Sequence, residues 1–203
     1  MDKRPDAAIS APYDLIAAQW IEERKILERE TPYFEHFMAL APRGARLLDL
    51  GCGAGVVSRL LLDRGFCVTG VDASIAQLRA AVASCPDAEF ITADIVTVEL
   101  TERFQGLVAW DSLFHIPRSA HQRIFRKMHA WLDADAPMLL SLGGTEDEFT
   151  APMYGVDFFY SSYAPETSLK LLEESGFNIV RAEIDDPSSR GHFAILCRKI
   201  DGA

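Results

Sequence analysis

The chain lacks a basic excess. Its 20 Lys and Arg face 30 Asp and Glu, for a formal net charge of −10. A nucleic-acid binder needs a basic footprint for the phosphate backbone, and none is visible. Arg123-x-x-Arg126-Lys127 reads as the solvated face of a helix. The chain also lacks any apolar run long enough to cross a bilayer, and Met1-Asp2-Lys3-Arg4-Pro5 has no apolar h-region behind it. It lacks a C-x-x-C pair. Cys52, Cys67, Cys85 and Cys197 are scattered, which argues against disulfides and against zinc. Repeats, low-complexity stretches and linkers are missing too. These absences leave a cytoplasmic protein with a small-molecule partner, no nucleic acid and no membrane. At 203 residues and 49% apolar content, one domain spanning 1–203 has enough material for a core. The oligomeric state is not legible.

What is present alternates between two periods. Residues 12–41 read as helices, with Thr31-Pro32 as a cap and first-turn proline ahead of Phe34, Phe37, Met38 and Ala41 on one face. Strands are expected at Arg46–Leu50, Phe66–Val71, Glu89–Ala93, Gly106–Trp110 and Met138–Leu142. Helices fall between them. Ser74 suits a cap for the helix bearing Ile75, Leu78 and Val82. Ser119 and Gln122 have capping-box spacing ahead of Ile124, Phe125, Met128 and Leu132. Pro165–Ser175 reads as a helix stopped by Gly176. Phe177–Ile184 and His192–Lys199 lack room for a helix between them and should pair as an antiparallel hairpin. The fold class is therefore α/β: a doubly wound, mostly parallel seven-stranded sheet with helices on both faces and an antiparallel C-terminal hairpin.

The densest signal is Leu47-Leu48-Asp49-Leu50-Gly51-Cys52-Gly53-Ala54-Gly55. A buried strand ends in an acid and is followed by glycines at every second position, where backbone approaches a ligand. A dinucleotide fingerprint needs G-x-G-x-x-G. Here the third glycine comes one position early, and position 56 is Val. Two further strand ends carry acids. Gly70-Val71-Asp72-Ala73-Ser74 places its acid 19 residues beyond Gly53, and Ala93-Asp94-Ile95 follows 22 residues later. A carboxylate accepts hydroxyl and amine protons without donating any.

From about residue 10 to 200 this order resembles the class I (Rossmann-like) S-adenosylmethionine (SAM)-dependent methyltransferases of the small-molecule type. The resemblance implies SAM as cofactor. It implies that the glycine turn holds the methionine portion, Asp72 the two ribose hydroxyls and Asp94 the adenine amino group. Asp49 offers negative charge near the ammonium and sulfonium. Gly51, Cys52, Gly53, Ala73, Ile95 and Trp110 complete the expected cofactor set. Cys52 also reads simply as a small residue that fits the turn. The implied activity is methyl transfer to oxygen or nitrogen of a small acceptor. A SAM-binding protein without transferase activity and a dinucleotide-dependent oxidoreductase are the alternatives.

The acceptor side rests on topology. A last strand running against the others brings the turn Asp185–Gly191 to the ligand edge, along with the segment after the fourth strand. Two histidines then fall on that edge as candidate catalytic bases, His115 and His192. The competing readings are a histidine packed between Phe114 and Ile116, and a structural hydrogen bond at His192. Residues 143–164 read as a substrate-side insertion whose Phe149, Met153, Tyr154, Phe158, Phe159, Tyr160 and Tyr163 suit an aromatic wall, or else a packed helix or strand. Glu146-Asp147-Glu148 reads as solvated surface. Residues 1–42 resemble a helical lid, which implies that Tyr13 and Trp20 approach the cofactor; core packing is the competing role of both and the preferred one for Trp20. There is no Asn-Pro-Pro-Tyr signature, no metal cluster and no separate target-recognition domain.

Overall fold

The structure, a computed structural model, describes residues 10–186 and 191–200. Residues 1–9 and Pro187, Ser188, Ser189 and Arg190 of the expected last turn lie outside the described residues. Helices α1 (Ser10–Glu23) and α2 (Thr31–Leu40) precede an alternating core. That core runs β1 (Arg46–Leu50), α3 (Val56–Asp63), β2 (Cys67–Asp72), α4 (Ile75–Ser84), β3 (Glu89–Thr92), β4 (Gly106–Ala109), α5 (His121–Trp131) and β5 (Pro137–Gly143). A hairpin of β6 (Asp147–Met153) and β7 (Val156–Ser162) follows, then α6 (Pro165–Glu174), β8 (Phe177–Asp186) and β9 (His192–Lys199). No helix among the described residues is long and apolar enough to cross a membrane.

The main sheet has seven strands in the order β3-β2-β1-β4-β5-β9-β8. The first five named are parallel, and β9 runs against both β5 and β8. The sheet is thus the one expected from the sequence. Helices cover both faces, so its central strands are apolar on both sides. Alternation assigns the sides. Leu48, Leu50, Leu107, Leu140 and Ile195 pack with Phe125, Met128 and Trp131 of α5. Leu47, Val108, Leu139 and Leu196 pack with Phe34 and Phe37 of α2 and Leu61 of α3. From β1 the chain winds outward through β2 and β3, then crosses back to place β4 on the other flank of β1. Ligands of open α/β sheets bind at the carboxyl ends of such a reversal.

Two local expectations are corrected, and a third is specified. Thr31 is not the cap of α2. The cap position is Glu30, buried and occupied with the Leu27 N–H and Arg24, while Pro32 does sit in the first turn. The Ser119–Gln122 capping box does not form. Residues Arg118–Ala120 make a 3-10 turn leading into α5, and Ala120 occupies the cap position without a side-chain bond. The segment 143–164 is largely a two-stranded antiparallel hairpin standing apart from the main sheet. Its tip, Tyr154-Gly155, has positive φ at both residues (50° and 78°), the geometry that matches strand twist in a two-residue turn.

Gly70 lies where β2 passes beneath the glycine turn. A Cβ there would stand 2.6 Å from the Phe90 ring and 2.9 Å from Cys52 Sγ. Gly70→Ala should therefore overpack this contact and cost about 1–3 kcal/mol. The check is urea unfolding: a lower midpoint at unchanged slope is expected, and an unchanged midpoint would contradict the packing argument.

Candidate active site at the carboxyl edge of the sheet

The three glycines after β1 do three different jobs. All have positive φ, at 81°, 52° and 83° for Gly51, Gly53 and Gly55. A Cβ on Gly51 would collide with Ser112 at 2.3 Å, and one on Gly55 would press on Ala81 of α4 at 3.2 Å. A Cβ on Gly53 would have a single neighbour within 4 Å, Gln77 Oε1 at 3.9 Å. The outer glycines are needed for packing, and the middle one faces open space. Gly51 and Cys52 N–H both donate to Val71 O, which pins the turn to the end of β2.

Asp72 locks the same turn from below. Its Oδ2 accepts the Gly53 N–H at 2.9 Å and its Oδ1 the Ser74 N–H at 2.8 Å. Burial raises its carboxyl above the ordinary range, against the pull of these backbone donors. Asp94 accepts the Val96 N–H at 2.7 Å, a local turn bond. Asp49 is 2% exposed, takes a 2.6 Å bond from Ser58 Oγ, and is pushed by burial up to about 7. Its charge near neutrality is thus divided, where the sequence suggested a plain negative charge.

The structure brings Asp49, Gly51, Cys52, Gly53, Asp72, Ala73, Asp94, Ile95 and Trp110 to one cleft of about 930 Å³, open mouth included. A second chamber of about 1220 Å³ adjoins it. Phe114, Phe149, Ala151, Met153, Tyr160 and His192 are among its lining residues. Tyr13, Trp20, Asp111 and His115 line both cavities. His115, His192 and the 143–164 hairpin therefore border one chamber. Trp20 is half-buried beside it, edge-on to Tyr13, and is not a core residue.

The two histidines differ in state. His115 is buried, and burial lowers its pKa to about 4, so its ring is neutral. Its Nδ1 lies 2.9 Å from the Phe159 carbonyl, which only accepts, so Nδ1 carries the proton. Nε2 is then the acceptor for the Tyr13 hydroxyl at 2.9 Å. Burial first, and Asp111 second, keep Tyr13 a neutral phenol well above its usual pKa. His192 has a carboxylate on each ring nitrogen: Asp185 at 2.5 Å on Nδ1 and Asp111 at 3.0 Å on Nε2. Burial opposes its charge, but the two carboxylates more than offset that and raise its pKa. Held between two acids, His192 has the geometry of the structural hydrogen bond that competes with the reading as a base.

Asp111 and Arg24 were not singled out from the sequence. Asp111 follows β4 with φ of 53°, and joins His192, Ser141 and Arg24. Burial opposes its charge, yet the bond from His192 and the Arg24 guanidinium hold its carboxyl below the usual range. Its signal was available as a polar residue right after a buried strand at the ligand edge. Arg24, in the irregular stretch after α1, carried none.

Asp49 makes stability depend on pH with a definite sign. Its pKa is about 7 in the fold and roughly 3.9 in an unfolded chain. Between those values the folded state holds a proton that the unfolded state has released, so stability falls as pH rises across the window. Asp49→Asn removes this term. Its unfolding free energy relative to wild type should climb from pH 4.5 to 7, by up to about 1.4 kcal/mol per unit, with its melting temperature following, and level off above. A difference that does not vary with pH would contradict a buried, proton-holding Asp49.

Residues 47–135 match a family described as a methyltransferase domain. A ubiquinone biosynthesis O-methyltransferase of Pseudomonas entomophila (strain L48) is 32% identical over 125 residues, covering 55% of this chain and 53% of that one. The chain spans about half the length of the curated relatives it matches. Among solved structures, the 1,6-didemethyltoxoflavin-N1-methyltransferase of Burkholderia thailandensis superposes with a TM-score of 0.73 at 20% identity, over 98% of this chain and 93% of that one. The [4+2]-cyclase SpnF does so with 0.74 at 16%, over 96% of each. At such identities the structural likenesses speak for the fold alone. The family match takes in the glycine turn and the strand-end acids, and the sheet order is that of the Rossmann-like methyltransferase fold, so over residues 47–135 and in its fold the chain is similar to SAM-dependent methyltransferases.

Proposed function

We propose that this chain transfers a methyl group from SAM to an oxygen or nitrogen of a small, flat acceptor. The observation that carries the reading is the pair of adjoining cavities with a shared wall at Tyr13, Trp20, Asp111 and His115. One cavity holds the residues the family uses for SAM. The other is walled by aromatic side chains, with Phe149 and Tyr160 stacked at 5.1 Å and 13°. One named relative is an O-methyltransferase and one named structural neighbour an N-methyltransferase, which supports either atom.

The residues present fit the cofactor. Gly53 faces open space, and each Asp72 oxygen takes one backbone N–H and retains acceptor capacity for a hydroxyl. Asp72 would hold the ribose, Asp94 with Ile95 the adenine, and the Gly51–Gly53 turn the methionine portion beside Asp49. When bound, SAM supplies a sulfonium-activated methyl group. The chain's own contribution is alignment of the nucleophile and exclusion of water, effects with effective molarities on the order of 10⁵ M or more. Residues 1–42 serve as the lid and 143–164 as the substrate-side insertion of one domain. The four free cysteines suit a cytoplasmic setting, and the charge of −10 suits a small-molecule partner over nucleic acid or membrane.

For an acceptor that arrives protonated, His115 acts through Tyr13. The acceptor's proton would pass to the Tyr13 oxygen as Tyr13 gives its own to His115 Nε2, which leaves the acceptor atom a free lone pair. His192 orients Asp111 and does not take the proton.

The direct test is transfer of labelled methyl from SAM to a panel of hydroxylated and amino aromatics. Labelled product is expected, and binding of S-adenosylhomocysteine (SAH) without product from any acceptor would favour a SAM-binding protein that transfers nothing. Ala151→Trp, which fills the acceptor chamber, should abolish transfer and leave SAH affinity intact. Tyr13→Phe and His115→Gln should each lower kcat about 10²–10⁴-fold, the double variant no further, with SAH affinity within a few-fold. Full activity in both single variants would remove the proton route and leave positioning alone.

A further inference from the structure

Gln77 is 1% exposed, and neither its Nε2 nor its Oε1 has a hydrogen-bond partner among the described residues. A buried primary amide with neither end matched by a protein group is rare, and each such group calls for a physical reason. The local sequence shows how it arises. Ser74-x-x-Gln77 has capping-box spacing, in which the glutamine would reach back to the Ser74 N–H. That N–H is already given to Asp72 Oδ1 at 2.8 Å. Ser74 Oγ still caps the Gln77 backbone N–H at 3.2 Å, so the helix start is satisfied without the side chain.

The freed amide lines the cofactor cleft, with Oε1 closest to the open side of Gly53. Gly53 is also the residue whose N–H binds Asp72 Oδ2. Gln77 and Asp72 therefore flank the same stretch of the cleft. Their chemistry is complementary. An ionised carboxylate only accepts, whereas a ribose hydroxyl both donates and accepts. The amide Nε2–H adds the donor that Asp72 lacks, and Oε1 adds a further acceptor.

We propose that Gln77 is a second ribose-recognising residue for the cofactor, completing with Asp72 the hydrogen-bond set of the sugar hydroxyls. This rests on the SAM reading above. The side chain has no partner among the described residues because its partner is the ligand.

The test pairs binding with stability, since the two should move in opposite directions. Gln77→Leu keeps the volume and deletes both polar ends. Calorimetric affinity for SAH should fall on the order of tenfold, the equivalent of one hydrogen bond. Affinity for 5′-methylthioadenosine, which has the ribose without the amino-acid portion, should fall by the same factor. The melting temperature of the free variant should equal or exceed that of wild type, because two unmatched buried groups are gone. Gln77→Met, unbranched and helix-compatible, should repeat the pattern and covers the case in which the leucine variant folds poorly. Wild-type affinity in either folded variant would overturn the proposal. So would a loss seen with SAH alone, which would assign the amide to the amino-acid portion. Wild-type protein that binds neither ligand would overturn the cofactor reading itself, a result distinct from any behaviour of the variants.

Discussion

The site depends on one carboxylate holding two pieces of backbone. Asp72 accepts from Gly53 on one oxygen and from Ser74 on the other, so the turn after β1 and the start of α4 keep one mutual geometry. Everything at the cleft follows from that clamp. The turn cannot drift from β2, because Gly51 and Cys52 also bond Val71 O. The α4 cap forms on Ser74, which frees Gln77. The clamp also explains why a carboxylate is tolerated there despite its burial, since backbone N–H groups satisfy it before any ligand arrives.

The second organising feature is the docking of the α1 region over both cavities. Asp14 accepts from Ser74 Oγ at 2.5 Å and from the Ala76 N–H at 3.0 Å, tying α1 to the start of α4. Tyr13 reaches His115, Arg24 reaches Asp111, and Tyr154 at the hairpin tip bonds Glu23. These are polar contacts at the rim of an apolar chamber, so the amino-terminal helix completes the wall between the cavities without being part of the sheet core. The acid–histidine–acid cluster beneath it is half-buried, and Arg24 adds a cationic partner for Asp111.

Much of this was legible in the chain, and the parts that were not have physical reasons. The strands of the main sheet announced themselves because central parallel strands are continuous apolar runs ended by acids or glycine. The residues that line the first cleft were legible because their spacing repeats over three strand ends. The hairpin was harder. Pro152 interrupts β6, Tyr154-Gly155 is not a usual two-residue turn sequence, and its outward and chamber-facing residues are both aromatic, so alternation is blurred. The failed caps share another cause: at Thr31 and Ser119 the backbone enters the helix through a preceding turn that already satisfies the first N–H groups. His192 lies at the edge as expected, but its partners could not be read, because Asp111 and Asp185 are brought together by the fold across 74 residues of chain. Arg24 was invisible for the same reason.

The account's central claim is that the methyl donor and its acceptor meet across the wall of Tyr13, Asp111 and His115. A crystal structure with SAH bound tests it most directly. The ribose hydroxyls should lie within hydrogen-bond distance of Asp72, with the sulfur directed at that wall and the aromatic chamber beyond it. SAH bound outside the cleft, or with its sulfur turned away from the chamber, would contradict the account.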